Sequence, residues 1–111
     1  KSFAEHRTPR GCDVDDAARQ VIVRHGFGEQ FIHRTGHSIT EDLHGSGANM
    51  DNLETRDERT IIPETSFSIE PGIYLMGEFG IRTEINVYIS KNGDVVIPGE
   101  PRQQHVIAIL K

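Results

Sequence analysis

Between Asp13 and Gly26 the apolar residues Val14, Ala17, Ala18, Val21 and Ile22 recur, with His25, at the spacing of one helical stripe. Asp13 takes the N-cap position in this reading, Asp15 and Asp16 fall in the first turn, where carboxylates favour the helix dipole, and Gly26 supplies the stop. Upstream, Lys1 to Gly11 is polar, carries Pro9 and has no sustained period, which predicts a linker or frayed end over residues 1–12. Downstream the period changes from helical to two. In TSFSIE at 65–70, Phe67 and Ile69 face one way and Ser66, Ser68 and Glu70 the other. Pro71-Gly72 fits the middle of a tight turn, so that Ile73 to Met76 returns as a paired strand. The longest alternation runs from Ile81 to Ser90, with Ile81, Thr83, Ile85, Val87 and Ile89 on one face and Arg82, Glu84, Asn86 and Tyr88 on the other. Asn92-Gly93 predicts a hairpin returning through Asp94 to Ile97. Pro98 to Gln103 reads as a loop and His105 to Leu110 as a final strand. One helix followed by a mainly antiparallel sheet predicts an α+β domain, with the helix covering one face of the sheet.

Composition narrows the function classes. The 111 residues suit one small domain, and residues 13–111 are taken as that unit. With 12 Lys+Arg against 17 Asp+Glu the net charge is −5 and the basic residues form no stripe, so nucleic acid is not an expected partner. No apolar run approaches the roughly 20 residues needed to span a bilayer, and no membrane association is expected. A single Cys12 excludes an intrachain disulfide and suits a reducing, cytoplasmic setting. The first residue is not Met, which suggests a piece of a longer chain.

The chemistry concentrates in FIHRTGHSITEDLH at 31–44, where three histidines stand in fourteen residues: His33, His37 and His44. On a helix His33 and His37 would share a face and could clasp one ion. Gly36 and the β-branched Thr35, Ile39 and Thr40 oppose a helix. On a strand the two rings point the same way about 13 Å apart, at roughly 3.3 Å per residue, so that one can bind metal while the other meets substrate. Surface histidines without a role are the plainer alternative. The polar stretch Gly45 to Arg59 reads either as the rim of a site or as a solvated insertion.

HRTGHSI followed by His44, SIEPGIY at 68–74 and RTEINV at 82–87 together resemble the creatinase/aminopeptidase P/methionine aminopeptidase family, and most closely its Xaa-Pro peptidase branch. The resemblance extends upstream through DVDDAARQVIVRHGFGEQF and covers about 100 residues. It implies a curved "pita-bread" sheet of which this chain is the C-terminal half. It also implies that His37, Glu70 and Glu84 are metal ligands in a site for two divalent ions, Mn²⁺ first, with Co²⁺, Zn²⁺ or Fe²⁺ as alternatives. His33 would contact a proline-containing peptide substrate, His44 would stabilise the oxyanion, and Glu70 would also shuttle the proton. Arg82 would anchor a substrate carboxylate or make a structural ion pair. The implied reaction is hydrolysis of bonds next to proline by a metal-bridging hydroxide; a non-catalytic binding module or a creatinase-like C–N hydrolase are the alternatives.

The chain departs from the family's usual pattern at Ser38-Ile39-Thr40 and at Gly45. It also lacks the two aspartates of an earlier strand hairpin, since Asp13, Asp15 and Asp16 open a helix. The isolated chain is therefore expected to be inactive, and to pair with its missing half or with another copy.

Overall fold

The computed structural model describes residues 8–99 and 101–110. Helix α1 spans Gly11–Arg24, followed by a 3₁₀ turn at Gly28–Gln30 and six strands. These are β1 (Ser38–Ile39), β2 (Thr65–Ile69), β3 (Gly72–Leu75), β4 (Phe79–Arg82), β5 (Ile85–Ile89) and β6 (Val95–Val96). The α+β class stands, with antiparallel pairing throughout: one sheet in the order β1-β2-β5-β6 and a second of β3-β4. Among the described residues no helix is long and apolar enough to cross a membrane.

The helix begins three residues earlier than its apolar stripe suggests. Arg10 is the N-cap, and Asp13, expected in that position, stands three residues in and accepts the Arg10 backbone N–H at 2.8 Å. Its carboxylate thus satisfies the helix end from inside, as the second half of a capping box does. Gly26 adopts φ 86, the left-handed conformation that ends helices. The expected frayed end is also shorter. Residues 1–7 lie outside the described residues, but Pro9, Gly11 and Cys12 are buried and Arg10 bridges to Thr60. Helix and core meet at Val14, whereas Val21 and Val23 farther along are exposed.

The sheet revises the expected strand plan. Pro71-Gly72 is not a turn: β3 continues in the direction of β2 and pairs with β4, not with β2. Gly72 does not take the positive φ that the third position of a type II turn requires. It instead makes room for Tyr74, whose hydroxyl lies 2.5 Å from where a Cβ would stand. The chain reverses at Met76-Gly77-Glu78, where Gly77 has φ 76 and the Glu78 N–H donates to the Leu75 carbonyl at 2.9 Å. The long strand expected over Ile81 to Ser90 is correspondingly split into β4 and β5.

Both revisions have one cause. Ile69 is opposite Ile85 and Gly72 is opposite Arg82, so β2–β3 and β4–β5 form one long hairpin in a single register, interrupted over residues 70–71 and 83–84. Thr83 N–H donates to Pro71 C=O at 3.3 Å, but Pro71 has no N–H to return. The Glu70 N–H is diverted to the Thr35 carbonyl at 2.6 Å. The ladder therefore breaks where the two glutamates stand.

The Asn92-Gly93 hairpin forms as expected, with Gly93 at φ 86. His105 to Leu110 is not a strand; residues 101–110 are exposed, and the His105 carbonyl accepts from the Gln103 side chain at 2.7 Å. The core holds Met50, Ile61, Phe67, Val87 and Ile89. Met50 comes from the polar stretch 45–59, which reaches the core there and is anchored again at Asp57, while Leu53, Glu54, Thr55 and Arg56 stay exposed. Asp57 within it is buried and accepts from Asn49 N–H, Arg59 N–H and the Arg59 guanidinium, at 2.7 to 3.1 Å. Those bonds hold the Asp57 carboxyl down at about 2.

Candidate metal centre

Register places the two glutamates before any side chain is considered. One step beyond the Ile69–Ile85 pair, Glu70 falls opposite Glu84, and directly opposed residues on antiparallel strands point to the same side. Their carboxyl groups lie close enough to act on each other's ionisation. Two like charges so close cannot both be cheaply ionised, and the environment divides the proton between them. Burial opposes ionisation of Glu70, but hydrogen bonds from Ser68 and Glu84 and the charges of His37 and Arg82 outweigh it, so the Glu70 carboxyl titrates below its ordinary range. For Glu84, burial and the adjacent Glu70 prevail over Arg82 and His37 and push its carboxyl up. Of the two, Glu70 ionises the more readily and Glu84 the less readily.

His37 joins them from the segment that runs along β2. Its Nε2 lies 3.4 Å from Glu70 Oε2, while Nδ1 faces the Ser38 carbonyl at 3.0 Å. A ring whose Nδ1 donates to a carbonyl presents the Nε2 lone pair outward, the form in which imidazole binds metal. The segment is extended, as the β-branched residues around Gly36 suggested. Gly36 exchanges backbone hydrogen bonds with Met50 at 3.2 and 3.0 Å, and the Ser68 N–H donates to His37 C=O at 2.9 Å. A Cβ at Gly36 would sit 1.8 Å from the Ser68 carbonyl oxygen. The glycine of the Gly-His pair thus permits β2 to approach, and that approach brings His37 to Glu70.

The other sequence candidates divide. His44 is exposed, its ring 4.2 Å from that of His37 centroid to centroid, so the structure gathers His37, His44, Glu70 and Glu84. Arg82 ends β4 two register steps away, exposed, and its charge acts on both carboxyls. His33 is engaged elsewhere: Nδ1 bonds to the Arg34 carbonyl and Nε2 to the Tyr74 hydroxyl, both at 2.7 Å. The departures at Thr40 and Gly45 fit one another, because a Cβ at Gly45 would stand 2.5 Å from the Thr40 methyl.

Three residues that sequence reasoning passed over hold the candidate residues in place. Ser68, fully buried, accepts the His37 N–H at 3.0 Å and bonds to Glu70. Its signal was its place two residues before Glu70 on the same strand face. Tyr74 and Thr35 carried no such signal, since their partners are distant in the chain.

The donors are chemically suited to a hard divalent ion, with carboxylates that can bridge and an imidazole nitrogen. They form a chain, His37 to Glu70 to Glu84, and among the described residues no three His, Cys, Asp or Glu side chains close around a common point. They fit part of a metal site. Asp13, Asp15 and Asp16 do not complete it, as Asp15 is buried against Thr35, Arg19 and Asn52.

Paired carboxylates beside an imidazole at a break in a sheet are the kind of donor set that hydrolytic metalloenzymes use. The chain belongs to metallopeptidase family M24, whose model matches residues 4–91. It is 35% identical over 96 residues to a probable dipeptidase, PepE, of Mycobacterium tuberculosis, covering 86% of this chain and 24% of that protein. To the Xaa-Pro dipeptidase of Lactobacillus helveticus it is 36% identical over 81 residues, covering 73% of this chain and 21% of the relative. Among solved structures, the Xaa-Pro dipeptidase of Bacillus anthracis superposes with TM-score 0.77 at 26% identity, over 91% of this chain and 27% of that one. The prolidase of Pyrococcus horikoshii gives TM-score 0.76 at 27% identity, over 89% of this chain and 27% of that one. The fold is accordingly the C-terminal part of a pita-bread domain, and the chain spans about a quarter of the length of the curated relatives it matches.

Proposed function

We propose that the chain supplies His37, Glu70 and Glu84 to a dinuclear, metal-dependent site that hydrolyses peptide bonds next to proline. The observation that carries this reading is the meeting of His37 and the opposed Glu70–Glu84 pair at the one break in the long hairpin. Divalent ions, with Mn²⁺ the first choice for an oxygen-rich set and Co²⁺, Zn²⁺ or Fe²⁺ as alternatives, supply carbonyl polarisation and water activation when bound. Glu70 takes the proton of the attacking water and passes it to the leaving amine. His44, exposed beside His37, donates to the developing oxyanion. His33 contacts substrate from its place against Tyr74, and the exposed Arg82 takes the substrate carboxylate.

The remaining ligands, two aspartates, lie outside these 111 residues in this reading, and the buried lone thiol of Cys12 suits a reducing cytoplasm. Exposed Ile32, Met76, Phe79 and Ile81 pair with the rest of the parent protein or with a second copy.

The test is metal content and hydrolysis of Xaa-Pro dipeptides by the parent protein. His37→Ala and Glu84→Ala lose metal, whereas His44→Ala keeps metal and loses rate. A His44→Ala protein devoid of metal would refute the assignment, and a parent that binds peptide without cleaving it would identify a binding module.

A further inference from the structure

Asp15 is fully buried on α1, and its bonds outside the helix lead to the histidine segment at Thr35 and to the loop at Asn52. Its Oδ1 accepts the Thr35 N–H at 2.9 Å and the Thr35 hydroxyl at 2.6 Å; its Oδ2 accepts the Asn52 N–H at 3.0 Å. Arg19, one helical turn on, donates to both oxygens at 3.2 and 3.1 Å. The same guanidinium donates to the carbonyls of Phe31 at 2.9 Å and His33 at 2.8 Å, and lies 4.0 Å over the Phe31 ring. Thr35 then accepts the Glu70 N–H at 2.6 Å and stands two residues before His37. A charged pair is costly to bury unless its hydrogen bonds are satisfied, and here five bonds to the carboxylate satisfy it. Four of the backbone groups that Asp15 and Arg19 engage belong to the segment bearing His33 and His37 or to the loop paired with it. An apolar residue at position 15 could fill the space but could not fix where Thr35 stands.

We propose that Asp15, clamped by Arg19, is a positioning residue of the centre. Through Thr35 it sets the distance between His37 and Glu70, two elements otherwise joined only along the edge of β2. The Thr35 hydroxyl and N–H fasten the histidine segment to the helix, and the Thr35 carbonyl fastens Glu70 to the histidine segment. The inference rests on reading His37 and Glu70 as ligands, but the contact it concerns exists without metal and is measured without it.

The experiment uses the labelled 111-residue chain without metal, as wild type, Thr35→Val, Thr35→Ser and Asp15→Asn. Amide exchange is read at Glu70, His37 and across β5, with the NOE between the His37 ring and the Glu70 side chain. In Thr35→Val, exchange at Glu70 and His37 accelerates at least about tenfold and the NOE is lost, while β5 keeps its protection; Thr35→Ser restores both. Asp15→Asn acts in the same direction, and if it does not fold the Thr35 pair decides. Unchanged Glu70 and His37 in a folded Thr35→Val chain would overturn the proposal. So would equal loss of protection across β2 and β5, which would mean that the clamp only stabilises the fold, or absence of the NOE from wild type. A wild-type chain that passes this test yet binds no Mn²⁺ leaves the positioning role intact and removes the metal reading instead.

Discussion

Gly36→Ala isolates the packing on which the centre depends. The added Cβ would meet the Ser68 carbonyl oxygen at 1.8 Å, the Ser68 carbonyl carbon at 2.7 Å and Ser68 Oγ at 3.1 Å. The two nearest atoms are backbone, so no side-chain rotation relieves the overlap. A carbon-to-oxygen contact needs roughly 3.3 Å, so the histidine segment must withdraw from β2 by about 1.5 Å. Overpacking of a tight site costs about 1–3 kcal/mol. The withdrawal also stretches the bonds of Ser68 N–H to His37 C=O and Glu70 N–H to Thr35 C=O, each worth about 1 kcal/mol. The expected loss is about 3 kcal/mol or more, a large share of the roughly 5–15 kcal/mol that holds a small domain. Gly77→Ala is the contrast: nothing lies within 4 Å of its Cβ position, and only the strain of φ 76 is added, about 1 kcal/mol. Urea unfolding of the two variants beside wild type measures both. A Gly36→Ala chain within about 1 kcal/mol of wild type would refute the claim that this glycine is required by the approach of β2.

Ser68→Ala orphans the buried His37 N–H and removes a donor from Glu70; stability falls by about 1–2 kcal/mol, and the Glu70 titration followed by carboxyl ¹³C shifts moves upward. The same ¹³C experiment on wild type should show Glu70 and Glu84 titrating on opposite sides of the ordinary glutamate value, and Glu84→Gln should leave a single group. Asp57 has a carboxyl lowered from 3.8 to about 2, so its contribution is full above the unfolded value and disappears as pH falls through the folded one. Acid unfolding should therefore show a component between roughly pH 4 and 2 that Arg59→Ala diminishes.

The parts of this fold visible in the sequence are those governed by local chemistry. The helical stripe, the left-handed Gly26, the Asn92-Gly93 hairpin and the alternation of β2 each rest on neighbours within a few residues. Pro71-Gly72 misled because the same dipeptide serves a turn or a ladder interruption, and only the partner strand decides which. The Ile81 to Ser90 alternation likewise hid a break imposed by residues across the sheet. Helix onset was misplaced because Asp13 can cap from position three as well as from the cap itself. At the centre, His37, Glu70 and Glu84 were legible through ordered motifs. Their supports were not: Thr35 and Asp15 act through partners 20 to 37 residues away, and a single sequence carries no sign of such contacts.

The most direct test of the central claim is a Mn²⁺ titration of the labelled 111-residue chain, observed by paramagnetic broadening of side-chain and amide signals. The His37 ring and the Glu70 and Glu84 carboxyl groups are expected to broaden first, with the His44 ring next. Signals of His25, Asp51 and Asp57 should persist at those Mn²⁺ concentrations. Broadening centred on another cluster, or none at His37, Glu70 and Glu84 at millimolar Mn²⁺, would contradict it.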